Sequence, residues 1–68
     1  MLNFDNVYNL CNRKKWYTRG TNEEYDNMFE MVKNGSDIMD IASDIYYHSS
    51  DVKNVGEIYQ ELEALLKA

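Results

Sequence analysis

An all-α fold, a compact bundle of four short helices, follows from three observations on these 68 residues. Apolar side chains recur at spacings of three and four, and no stretch alternates with the period of two that marks a half-buried strand. There is no proline, and only three glycines punctuate the chain. A hydrophobic fraction of 44% furnishes one modest core, so residues 1–68 read as a single helical domain with no room for a cleft between lobes.

The first helix is expected over about residues 4–15. Phe4, Val7, Tyr8 and Cys11 fall at i, i+3, i+4 and i+7 behind Asn3 as N-cap, and Lys14 and Lys15 suit the negative end of the helix dipole. A polar stretch then leads to Thr21-Asn22-Glu23-Glu24, a capping box in which Thr21 and Glu24 satisfy each other's backbone N–H groups. Behind it Tyr25, Met28, Phe29 and Val32 form the second stripe, which ends near Asn34 because Gly35 tolerates the left-handed conformation that closes a helix. Ser36 is the expected cap of a third helix with the stripe Ile38, Ile41, Ala42, Ile45 and Ser49. For the fourth, Asn54 with Glu57 three residues on is preferred to Ser50 as the start. Val55, Ile58, Tyr59, Leu62, Leu65 and Leu66 then run to the C-terminus, with Val52 packing from the preceding turn.

Charge and inventory narrow the chemistry. Twelve acids against seven Lys and Arg give a net charge of -5, which disfavours general phosphate-backbone binding, because that affinity comes from cations displacing counterions. The single cysteine, Cys11, has no partner for an internal disulfide and reads as a small buried hydrophobe rather than a nucleophile. His48 is the only histidine, and neither a glycine-rich phosphate loop nor a metal-ligand spacing is present. The expectation is a non-enzymatic protein without cofactor or metal. With no basic-then-apolar leader and no apolar run of about 18 residues, it is expected to be soluble and unprocessed in a reducing cytoplasm.

Three surface features carry the functional reading. On helical wheels Asp40, Asp44 and Tyr47 lie opposite the isoleucine stripe with Asp37 close by, and the second helix exposes Glu23, Asp26 and Glu30. Together they make an acidic face with an exposed tyrosine, suited to a basic protein surface, although solvated helix faces carry such charges for solubility alone. The second feature is Arg13, Lys14, Lys15, Trp16, Tyr17 and Arg19. Residues 1–20 hold four cations and one acid, whereas residues 21–68 hold three and eleven. Such a patch can stack a base, or else Trp16 plugs the core edge while the cations complement the helix end. The third is a helix-turn-helix pattern over residues 41–62, with Ala42 at the small position, Tyr46 where glycine usually stands, Tyr47 buried and Lys53 as the one firm cation of the recognition segment. A further alternative is a homo-oligomer in which Leu10, Met31 and Leu65 project beyond the core.

The segments Lys15-Trp16-Tyr17-Thr18-Arg19-Gly20-Thr21-Asn22-Glu23-Glu24-Tyr25 and Ile41-Ala42-Ser43-Asp44-Ile45-Tyr46-Tyr47, with the small size and acidity, give the chain a type. It resembles the small accessory proteins of phages and prophages of AT-rich Gram-positive bacteria, a group that includes acidic anti-CRISPR inhibitors. The resemblance implies the cytoplasm of a bacterial host and stoichiometric binding to a host nuclease or regulator. It transfers no binding residues. The leading expectation is thus an inhibitor that occludes a basic surface through Asp37, Asp40, Asp44, Tyr47, Glu23, Asp26 and Glu30.

Overall fold

The computed structural model describes residues 2–67; Met1 and Ala68, the two ends of the expected 1–68 domain, lie outside the described residues. Among the described residues the chain forms four helices and no strand: α1 (Phe4–Lys14), α2 (Asn22–Lys33), α3 (Ile38–Tyr47) and α4 (Val55–Lys67). The expected all-α architecture is the one observed. α3 packs most extensively on α4, while α2 lies on α3 and α1 on α2. The radius of gyration, 10.5 Å, is close to the roughly 11 Å of a compact chain of this length. Among the described residues no helix is long and apolar enough to cross a membrane.

Local chemistry sets the helix ends. Asn3 accepts from the Asn6 N–H at 2.9 Å, and both arms of the Thr21–Glu24 box are formed, at 2.9 and 3.2 Å. The end of α2 is a Schellman motif. Gly35, at φ 76°, donates to the Val32 carbonyl, and Ser36 N–H reaches back to Met31 at 3.0 Å. Ser36 is thereby committed to closing α2, so the cap of α3 passes to Asp37, whose carboxylate accepts from Met39 N–H at 3.2 Å. Asn54 starts α4 as expected, accepting from Glu57 N–H at 3.1 Å. α1 ends with the same bond pattern as α2, Trp16 N–H to Cys11 carbonyl at 2.9 Å, but the left-handed position is held by Lys15 at φ 58°.

The core is built from Val7, Leu10, Cys11, Met28, Val32, Ile41, Ala42, Ile45, Ile58 and Leu62, all at most 2% exposed. Each large aliphatic member contributes about 1.5–3 kcal/mol by leaving water. The α1 stripe is rotated from its expected position: Leu10 is buried, whereas Phe4 and Tyr8 are 52% and 42% exposed. Leu10 therefore does not project toward a second subunit, and Met31 and Leu65 pack partly against the core, leaving Leu66 at the surface. Phe4 and Tyr8 instead rest on α2, with Phe4 4.4 Å from the Phe29 ring. Trp16 is only half-buried; the side chain that enters the core beneath the loop is its neighbour Tyr17.

Candidate functional site: a tyrosine–histidine clamp under an acidic surface

The loop after α1 enters the core through Tyr17, which has a left-handed φ of 63°. Three hydrogen bonds stitch this loop to the end of α3, and a fourth fixes the Ser49 side chain that makes one of them. Tyr17 N–H donates to Ser49 Oγ at 2.9 Å, Ser49 donates to the Ile45 carbonyl at 2.6 Å, and Arg19 N–H donates to the His48 carbonyl at 2.8 Å. Outside them, the Thr18 and Ser50 hydroxyls share a hydrogen bond of 2.9 Å. Gly20 lets the loop pass the Tyr17 ring: a Cβ there would lie 2.8 Å from Tyr17 Cδ1 and 3.2 Å from His48 Cδ2. This glycine serves close approach rather than simple punctuation.

The inserted ring completes an aromatic column. Phe29 stacks on Tyr25 at 4.6 Å, Tyr25 on Tyr17 at 4.7 Å and Tyr17 on His48 at 4.6 Å, with Tyr47 edge-on to His48 at 5.1 Å. The Tyr17 hydroxyl lies between two acceptors, Asp44 Oδ2 at 2.7 Å and the Glu24 carbonyl at 2.9 Å. Burial first, then the Asp44 carboxylate, pushes its ionisation far above the usual phenol range. The Tyr25 hydroxyl is buried without a hydrogen-bond partner among the described residues, and burial, then the neighbouring Cys11 thiol, pushes its ionisation above the usual phenol range. Burial pushes that thiol up to about 11, leaving it protonated and a poor nucleophile.

His48 ties α2 to α3. Nδ1 faces the Asp44 carbonyl at 2.8 Å, and Nε2 faces Glu24 Oε2 at 2.8 Å. Both partners only accept, so the imidazolium, which donates from both nitrogens, is the form that satisfies both contacts. Burial opposes the charge, but the Asp44 carbonyl and the Glu24 and Asp44 carboxylates outweigh it and raise the pKa. Glu24 is held below its ordinary value, chiefly by the Thr21 backbone N–H and then by His48. As the imidazolium, His48 engages a partner through each ring nitrogen and so fastens α3 to Glu24 of α2. Its chemistry is that of a clamp. Among the described residues no three His, Cys, Asp or Glu side chains gather as metal ligands.

No protein-family model matches the chain, and neither a curated protein nor a solved structure is detectably similar to it. Functional placement therefore rests on the surface around the clamp. Glu23, Asp26 and Glu30 of α2 are exposed, as are Asp37, Asp40 and Tyr47, the last at 79%. Asp44 departs from the expected outward face: it is half-buried and spent on Tyr17 and His48. In the basic segment, Lys14 pairs with Glu61 at 2.8 Å and so joins α1 to α4, while Arg13, Lys15 and Arg19 are exposed. The solvated position of Tyr47 does not fit the helix-turn-helix pattern, which buries it, and a seven-residue connection separates α3 from α4. Sequence patterns do not gather the clamp residues Tyr17, Glu24, His48 and Ser49 into one group; the local signals among them are the Thr21–Glu24 spacing and the inward place of Ser49 on the α3 stripe.

Proposed function

We propose that this chain is a non-enzymatic binding protein that occludes a basic surface on another protein, with the acidic faces of α2 and α3 as its working surface. The observation that carries this reading is the isolation of those acids. Glu23, Asp26, Glu30, Asp37 and Asp40 are exposed, and among the described residues none of them forms an ion pair. The unneutralised negative potential speeds encounter with a cationic partner, and Tyr47 supplies aromatic area that loses water on contact. Asp44 belongs to the framework that holds this surface, not to the surface itself.

The type of protein the sequence resembles supplies a setting for this chemistry: a phage-derived inhibitor of a host nuclease or regulator, acting in the bacterial cytoplasm as anti-CRISPR proteins do. Affinity capture from host lysate with mass spectrometry identifies the partner, and titration with that purified partner measures the surface. Asp40→Lys combined with Glu30→Lys is expected to weaken binding about tenfold or more and to slow association, with wild-type binding falling as salt rises. Unchanged affinity in that folded double variant would remove the acidic faces from the function.

A further inference from the structure

Between the start of α1 and the outer side of α2 runs an open groove of about 600 Å³. Its apolar wall is Leu2, Phe4, Phe29 and Val32, and Asp26 and Glu30 line it as well. Phe4 is the informative residue. In a chain this small nearly every apolar side chain is needed in the core, yet Phe4 is 52% exposed. It is not loose: its ring sits 4.4 Å from Phe29, itself 7% exposed, and 5.8 Å from the parallel Tyr8 ring. A rigid, half-exposed aromatic beside a groove is a preorganised contact, which binds without first giving up side-chain freedom.

Charge specifies the occupant. Asp26 and Glu30 are exposed carboxylates without an ion pair among the described residues. Among the described residues Lys33 is the one cation lining the groove. Resting on the reading above that the partner is cationic, we infer that this groove receives a protein segment with a large aliphatic or aromatic anchor flanked by lysine or arginine. The anchor packs on Phe4 and Phe29, and the flanking cations meet Asp26 and Glu30. Lys33 gives the segment a direction, since cations are tolerated along the carboxylates and not at that end. A second copy of this chain fits poorly: a symmetric contact sets Asp26 and Glu30 against their own counterparts, and each chain brings a net charge of -5.

The test uses the full chain, labelled with ¹⁵N, titrated with two synthetic peptides of equal length and charge, one alternating leucine and lysine in an amphipathic pattern and one with serine in place of every leucine. Amide shifts are expected at residues 2–4 and 26–33 with the leucine peptide. Phe4→Ser should lower its affinity about tenfold and leave the serine peptide's weak binding unchanged, whereas Asp26→Lys with Glu30→Lys should weaken both. Circular dichroism checks that each variant is folded. Equal affinity for the two peptides, shifts centred on α3, or leucine-peptide binding indifferent to Phe4→Ser would overturn the inference. Sedimentation showing a dimer that Phe4→Ser dissolves would also overturn it, in favour of self-association. Partner capture separates the two proposals. Because Asp26 and Glu30 belong to both readings, Phe4→Ser is the variant that distinguishes them: loss with Asp40→Lys but not with Phe4→Ser leaves the cationic-surface reading standing and removes the groove, while capture by every variant removes both.

Discussion

Replacing Tyr17 by phenylalanine deletes one oxygen and keeps the ring that stacks 4.7 Å from Tyr25 and 4.6 Å from His48. What disappears is the 2.7 Å hydrogen bond to the Asp44 carboxylate and its shared contact with the Glu24 carbonyl. A hydrogen bond to a charged group contributes about 1.5–3 kcal/mol, and half-buried Asp44 keeps its 3.7 Å approach to His48 Nδ1 and its contact with water as partial compensation. The expected loss is about 2 kcal/mol, from a total of roughly 3–10 kcal/mol for a domain of this length. At about 4–8 °C per kcal/mol, Tm should fall by about 8–16 °C. Thermal and urea melts followed by circular dichroism measure this. A cycle with Asp44→Ala isolates the pair, because the Tyr17 hydroxyl is worth less once its charged acceptor is gone. If Tyr17→Phe stays within about 0.5 kcal/mol of the native chain, or the two substitutions are additive, the clamp does not hold the loop to α3 as argued.

Three further outcomes test other parts of the structure. His48 is raised above its ordinary 6.5, so the stability it contributes is complete below that pH and is lost as pH climbs through the raised value. Glu24 is lowered from 4.5, so its share is present above 4.5 and is lost as pH falls through the depressed value. Unfolding measured across pH should therefore show a plateau between these values. His48→Gln should remove the alkaline decline, and a native profile flat above neutrality would contradict the clamp. Lys15→Gly should stabilise by about 0.5–1 kcal/mol, since it puts glycine where α2 already has Gly35; a loss in the melt would contradict the cap assignment. Gly20→Ala should destabilise by about 1–3 kcal/mol, because the new methyl meets stacked rings that have little room to yield, and an unchanged Tm would disprove that crowding.

The helices were legible in the sequence because their determinants lie within a few residues of one another. Thr21 reads Glu24 three positions away, Asn54 reads Glu57, Gly35 closes α2, and the apolar spacing of α2 and α3 names Met28, Val32, Ile41 and Ile45 as core. The acidic faces were legible for the same reason, since helical periodicity alone separates Asp40 from Ile41. Three-dimensional packing decided the rest. Tyr17 meets Ser49 across 32 residues and Asp44 across 27, and His48 meets Glu24 across 24, separations over which no local pattern operates. Asp44 has the periodicity of a solvent residue, yet it turns partly inward because a tyrosine from a distant loop arrives with a hydroxyl to donate. In α1 the periodic rule admits more than one face. Packing against α2 selected Leu10 for the core and left Phe4 half in water, because an apolar arc running from Leu10 through Val7 and Cys11 to Phe4 and Tyr8 is wider than the side α1 can bury, so the partner it lies on sets which edge stays out.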